Sequence, residues 1–371
     1  MFKQLLTIVC LLATSQLTAQ LSMPPSGQNQ KSKVVQYMGS EAYVAVVYNS
    51  PDVTDARGNS RKGKIWGQLV PWGMAPNNFG SAKQIPWRAG ANENTIVKFS
   101  HDMTVQGKAI KAGAYGLHII PQENGPWTLI FSNNTSSWGS YFYNEAEDAL
   151  RVEATPESTS YTEWLTFEFT DRQPTGTTLA LKWDELALPF KIEVPDLDKI
   201  QLAKIEEELR SSKGFTWTNW NSAAGYAMSV KEMDKALEWA DNAITAPFIG
   251  QANFTTLSTK AGILMQMGKE AEAFAVMDQA IDHPTASAGQ VHQVGRQLLG
   301  MGKKDKALEI FEHNYKKFEK AWPTHVGMAR GLSAVGKYKE ALKHAEMAHE
   351  QAPDKLNKDA LAASIEKLKK G

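Results

Sequence analysis

The chain has 371 residues, 40 Lys and Arg against 40 Asp and Glu, and a single cysteine, Cys10. The charge balance holds in both halves, 15 basic against 17 acidic residues over 20–195 and 24 against 23 over 196–371, so neither half has the positive field that grips nucleic acid or anionic lipid. With its one thiol inside the N-terminal apolar run, the chain offers no disulfide framework, thiolate nucleophile or zinc–thiolate site.

Residues 1–4 are short and basic, 5–13 are apolar, and a small, polar run ends at Ala19-Gln20. This pattern predicts a secretory signal peptide over 1–19. Thr7-Ile8-Val9 precede Cys10, so no lipidation box is formed. No later stretch is long and apolar enough to span a bilayer. The expected address is therefore exported, periplasmic or extracellular, in association with the cell envelope.

From 23 to 195 the chain reads as all-β. Apolar, β-branched and aromatic runs at 41–48, 95–99, 115–120, 127–131, 163–169, 178–183 and 188–194 are separated by Gly, Pro and Asn turns, which predicts an antiparallel sandwich or barrel-like domain. Seven of the eleven tryptophans lie here, most of them expected in the core. Three polar-aromatic clusters stand out: 64–73 with Trp66 and Trp72, 86–95 with Trp87, Arg88, Asn92 and Glu93, and 138–152 with Trp138, Tyr141, Tyr143, Asp148 and Arg151. The Trp87-Arg88-Ala89-Gly90-Ala91-Asn92-Glu93 string, with Ala112-Gly113-Ala114-Tyr115 and Trp138-Gly139, resembles the exported bacterial family known as domain of unknown function 2911. Trp72 stands where that family usually has Tyr, and 74–85 is an insertion. The resemblance implies an exported β domain and carries no assigned residues.

The residues themselves suggest a ligand site. Trp87, Arg88, Asn92, Glu93, Trp138 and Tyr141 combine flat rings with directional polar groups, a mixture suited to a sugar or peptide. The structural alternative pairs Arg88 with Glu93 or Asp148 and puts the tryptophans in the core. An enzymatic alternative is a carbohydrate- or peptide-acting hydrolase around Arg88, Asn92, Glu93 and Asp148. No nucleophile elbow, phosphate loop or His-Glu-x-x-His string occurs, so no catalytic residue, metal site or cofactor is expected.

Beyond Pro195 the composition turns to Ala, Leu, Lys and Glu with helical spacing. A linker helix is expected over 196–213. Gly268-Lys269, Gly302-Lys303 and Gly336-Lys337 then recur every 34 residues, each Gly followed five residues later by Ala273, Ala307 or Ala341. Such a beat marks stacked helical hairpins. Aligning on it gives units at 254–287, 288–321 and 322–355, an earlier one at 217–250 offset by three residues, and a capping helix at 356–370. Small residues at Ala224, Ala261, Gly295 and Ala329 on first helices, and Ala236, Ala273, Ala307 and Ala341 on second helices, resemble tetratricopeptide repeats, with Asn314 as a departure from the later Ala243, Ala280 and Ala348 series. The resemblance implies a protein partner bound in a groove lined by the first helices. Of the Lys, Arg and Asn set with which family members clamp a terminal carboxylate, only Asn221, Arg296 and Arg330 are matched and the groove is otherwise small and neutral, a departure from the clamp pattern; His292, Arg296 and Arg330 predict a mildly basic patch contacting an acidic segment. The bland alternative is solvated surface. His344 and His349 are read as solvated or as helix-dipole partners near the C-terminal end of a helix.

The expected architecture is thus all-β plus all-α: a β-sandwich or barrel-like domain followed by a tetratricopeptide-like α-solenoid. The expected role is a non-enzymatic binding or scaffold protein, with the β domain docking a second ligand or partner.

Overall fold

A computed structural model describes residues 29–318 and 321–370. The signal peptide expected over 1–19 lies outside the described residues. The chain divides into two compact bodies, one ending at Gln201 and the other beginning at Leu202.

In chain order the strands of the first body are β1 (Gln30–Met38), β2 (Ala42–Ser50), β3 (Ala75–Pro76), β4 (Gln84–Ile85), β5 (Thr95–Phe99) and β6 (Met103–Val105). They continue as β7 (Lys108–Ile110), β8 (Gly113–Ile120), β9 (Trp127–Ser132), β10 (Asp148–Ala154), β11 (Glu157–Gln173) and β12 (Gly176–Glu193). One antiparallel sheet has the order β1-β2-β5-β8-β9-β10 and a second has the order β11-β12-β6-β7. The fold is a sandwich: Phe99, Leu117 and Phe131 of the larger sheet and Phe167, Leu181 and Phe190 of the smaller share one buried cluster. Neither sheet closes on itself, so the barrel-like option falls away.

Alternation explains the inward faces. Thr95, Val97 and Phe99 of β5 are buried while Lys98 between them is exposed. On β8 the alternation disappears, and Tyr115 to Ile119 are all buried. The stretch expected as two strands, 178–183 and 188–194, is a single bent strand, β12. Asp184 takes the bend in the left-handed region at φ 58°, and its Oδ2 accepts the Gly63 N–H at 2.9 Å. The tryptophans divide: Trp127 and Trp183 are fully buried, Trp66 packs edge-on against Trp87 at 5.5 Å, and Trp138 is 52% exposed.

The helices are α1 (Leu197–Leu209), α2 (Trp217–Ser229), α3 (Met233–Thr245), α4 (Phe254–Gln266), α5 (Glu270–Asp282) and α6 (Ala288–Gly300), then α7 (Lys304–Lys317), α8 (Trp322–Ala334), α9 (Tyr338–Glu350) and α10 (Lys355–Leu368). The division at Gln201 falls inside α1 rather than at its start. From α2 onward the helices form four hairpins, and α10 packs on α9.

The sequence beat has a local cause. Gly268, Gly302 and Gly336 sit at φ 76°, 77° and 82°, the left-handed position that ends a helix and that an L side chain resists. In the first hairpin Lys231 holds the same place at φ 65°, so the turn is kept without its glycine. Asn253 and Ser287 close capping boxes with Thr256 and Gln290 and start α4 and α6. Ala236, Ala273, Ala307 and Ala341 are all inaccessible, as crossings between close-packed helices require. Asn314 departs from the alanine series because it is a connector: its Nδ2 donates to the Ala288 carbonyl at 3.0 Å, at the start of α6.

Phe311 of α7 is 0% exposed and fills a hole whose wall is glycine. A Cβ at Gly295, Gly327 or Gly331 would lie under 3.0 Å from the Phe311 ring. These three glycines of α6 and α8 let the two helices close on the ring.

Candidate functional site

The first helices touch one another, α2 on α4 and α6 on α8, which makes them the inner layer of the stack. Their register brings Gly225, Gly262, Arg296 and Arg330 to equivalent places: the last three are 34 residues apart, and the first is offset by the three-residue insertion. The row is open at one end and basic at the other. A Cβ built at Gly225 or Gly262 meets no atom within 4 Å. Neither glycine is needed for packing, and neither has positive φ. A helix-interior glycine without a packing reason costs roughly 0.5–1 kcal/mol relative to alanine, so these two leave room at a cost in stability.

At the basic end, His292, Arg296 and Arg330 line one cavity of about 670 Å3. Leu299, Trp322, Val326 and Leu361 form apolar walls, and α10 contributes Asn357 and Ser364. Among the described residues no carboxylate forms an ion pair with Arg296 or Arg330; Arg296 donates only a long 3.4 Å bond from Nη1 to Gln293 Oε1. Partial burial, then the positive charge of Arg296, lowers the pKa of Arg330. Burial and the fields of Arg330 and Arg296 push the His292 pKa down to about 4, against a hydrogen bond to the Pro323 carbonyl. His292 is therefore neutral near pH 7, and the cavity's charge resides in the two guanidiniums. Asn221 does not join them: it is half-buried on α2, and its Oδ1 has no hydrogen-bond partner.

The β-body candidates scatter. Trp87 is half-buried against the core, stacked on Trp183 at 6.3 Å and paired through its backbone with Ile119. The Arg88 guanidinium lies 4.9 Å from the Tyr141 ring centre, and its Nη1 donates to the Asn92 carbonyl at 2.7 Å. Asn92 sits in the left-handed region at φ 57° and turns the loop. Arg88 thus pairs with neither Glu93 nor Asp148. Asp148 accepts from Arg151 Nε at 2.7 Å and from the Tyr143 hydroxyl at 2.8 Å. Glu93 and Trp138 share a cavity of about 240 Å3 with Lys31 and Asn49; the Asn49 Nδ2 donates to Glu93 Oε2 at 2.8 Å. Glu93 and Asp148 thus have different partners, Asn49 for the first and Tyr143 with Arg151 for the second, and no group of three or more metal-ligating His, Cys, Asp or Glu occurs among the described residues.

Two features escaped sequence reasoning. His118 of β8 is buried beneath the 133–147 segment, with Nδ1 at 2.8 Å from Ser140 Oγ and its ring 5.5 Å from that of Tyr143. A histidine flanked by Leu117 and Ile119 gives no hint of a polar partner 22 residues on. Secondly, His344 is not a solvated residue: its Nδ1 lies 3.2 Å from that of His325 and its ring 5.2 Å from that of Tyr315. The helix pairing of α8 with α9 places the two histidines together, which spacing along α9 alone could not show.

Residues 29–192 match the family model described as "Protein of unknown function (DUF2911)". Comparison with curated proteins returns no match. Among solved structures, the helical part is similar to YrrB, described as a TPR protein with an unusual peptide-binding site, at 15% identity over 45% of this chain and 84% of that one, with a TM-score of 0.31. It is also similar to the C-terminal part of a TPR repeat-containing protein from Cytophaga hutchinsonii, at 18% identity over 46% and 69% of the two chains, with a TM-score of 0.34. A third likeness is to MamA, at 15% identity over 43% and 94%, with a TM-score of 0.30.

Proposed function

We propose that the chain is a non-enzymatic scaffold of the cell envelope whose helical repeats hold a protein partner along their inner layer. The observation that carries this reading is the register row Gly225, Gly262, Arg296, Arg330: two helix positions left empty at a cost to the fold, continued by two cations without ion-pair partners. A stack selected for stability alone would fill the first pair with alanine or leucine and neutralise the second. The leader pattern and the absence of cysteine beyond residue 10 support export. The sandwich supplies a second, smaller surface at Glu93 and Trp138, suited to a sugar or peptide unit; about 240 Å3 is below the roughly 300–1,000 Å3 typical of drug-sized pockets.

Site-specific photocrosslinking in the full chain tests the partner surface. A crosslinker at the exposed inner-layer Thr255 is expected to give discrete protein adducts in an envelope fraction, whereas one at the exposed Glu272 on α5 is not. Equal adducts from both positions, or adducts from Glu272 alone, would remove the inner layer from consideration.

A further inference from the structure

We propose that the cavity lined by Glu93 and Trp138 in the sandwich body holds one neutral pyranose ring, stacked on the indole and hydrogen-bonded to Glu93, Asn94 and Lys31. The proposal rests on the reading of this surface as a second ligand site and names the ligand class; it does not depend on the helical repeats.

The cavity has a floor and two fastened walls. Lys31 and Asn49 are cross-strand partners, as are Val47 and Ile96, and all four line it. Val44, Val46 and Tyr48 of β2 point into the core, so alternation puts Val47 and Asn49 on the outer face of the larger sheet. The walls are the 86–94 loop and the 132–140 turn. Asn94 is 5% exposed and joins them: its Nδ2 donates to Ser137 Oγ at 2.8 Å and to the Asn134 carbonyl at 3.3 Å. Asn134 Oδ1 accepts the backbone N–H groups of Ser136 and Ser137, which shapes the turn. On the other side of Trp138, Gly139 sits at φ 60° against the Arg88 guanidinium, where a Cβ would collide with it. Trp138 is thus anchored through both neighbours while half of it stays open to a ligand.

The polar groups beside the ring match a polyol. Asn94 Oδ1 is buried without a hydrogen-bond partner, a costly condition that a donor from the cavity would relieve. Glu93 Oε2 is held by Asn49, which leaves Oε1 for a ligand. Hydroxyls both donate and accept, so one ring can donate to Glu93 and Asn94 and accept from Lys31. A cationic ligand would be repelled by Lys31 and an anionic one by Glu93, which favours a neutral ligand. A pyranose also presents a flat apolar face to the indole. A peptide taken up by strand addition needs a sheet edge, whereas this floor is a sheet face.

Saturation-transfer NMR on the full chain tests the site with the methyl β-pyranosides of glucose, galactose and N-acetylglucosamine, with open-chain sorbitol and with a blocked dialanine. At the efficiency usual for ligands, a pyranoside of about a dozen heavy atoms is expected to bind with a Kd of about 1 mM. Saturation should be greatest on the C–H protons of one ring face. Sorbitol carries hydroxyls without the flat face and should not bind. Trp138→Ala should weaken binding about tenfold or more and Trp138→Phe less; Glu93→Gln should weaken it about tenfold through loss of a charge-assisted bond. Trp164→Ala, at another exposed tryptophan, should change nothing. Glu93 and Trp138 are exposed, so an unchanged melting curve separates loss of recognition from loss of fold. A linear trisaccharide of the bound sugar identifies the source: equal or tighter binding marks a glycan end, exclusion marks a free sugar, and the ring site stands in both cases. The proposal is overturned if no pyranoside binds below about 10 mM, if sorbitol binds as well, or if Trp138→Ala leaves binding unchanged. Dialanine binding that Trp138→Ala abolishes, without pyranoside binding, would keep the surface as a ligand site and sink the sugar assignment.

Discussion

Phe311→Ala is expected to destabilise the helical body by about 3–5 kcal/mol, the usual cost of emptying a fully buried aromatic site. The upper end is favoured here because the hole cannot collapse. Its walls include Gly295, Gly327 and Gly331, which have no side chains to move inward, and the α6 and α8 backbones are fixed by their own hydrogen bonds. The effect should extend beyond one residue. In a linear stack each hairpin leans on its neighbours, so loosening α6 from α8 also separates Arg296 from Arg330. Chemical denaturation followed by helical circular dichroism measures the loss. A change under about 1 kcal/mol would mean that the glycine-walled hole is not a keystone of this stack. Gly295→Leu makes the converse test: it forces atoms onto the Phe311 ring and should also destabilise, whereas the same change at Gly262 should not.

Acidification from pH 6.5 to 4 is expected to cost the β body about 3 kcal/mol through His118 alone. Burial first, and the nearby charge of Arg88 second, push the His118 pKa down from 6.5 to about 4. In the unfolded chain this imidazole binds a proton below about 6.5; in the folded chain it resists until about 4. Between those values the unfolded state holds more protons, so stability falls as pH falls and is flat above the window. The difference of about two and a half pH units corresponds to about 3 kcal/mol at full effect. Ser140 at Nδ1 and the Tyr143 ring hold the neutral form in place. His292 slopes the same way in the helical body, its pKa also near 4. Urea denaturation at pH 7 and pH 4.5, on wild type and His118→Gln, reads the effect: the variant should lose much of the pH dependence of the sandwich transition. An unchanged dependence would remove His118 as its source.

The repeats were readable because their cause is local. A left-handed turn selects glycine, and a close crossing selects alanine, each within a few residues of where the pattern appears. The same logic explains the gap in the first hairpin, where Lys231 accepts the left-handed position and hides the beat. Three of the four groove residues, His292, Arg296 and Arg330, meet because register alone places them; Asn221 is two hairpins away from the cavity and takes no part in it. The β body was legible only where a strand has one dry face. β1, largely exposed along its length, and the short β6 and β7 carry too few apolar residues to announce themselves. Trp87 illustrates the limit of reading by neighbourhood. It stands beside Arg88 in sequence, yet its bridge to Ile119 packs the ring against the core while Arg88 lies over Tyr141. Which side of a loop faces inward is set by strands distant in sequence.

The inner layer of the repeats is proposed to be kept open for a protein partner. The most direct measurement is made on the full chain carrying Gly225→Leu and Gly262→Leu. Both sites have free space, and leucine favours helix over glycine, so stability should rise by roughly 0.5–1 kcal/mol per site. The new side chains would occupy the groove, so protein adducts from a crosslinker at Thr255 should disappear in the more stable protein. Adducts undiminished at Thr255 in that variant would contradict the claim.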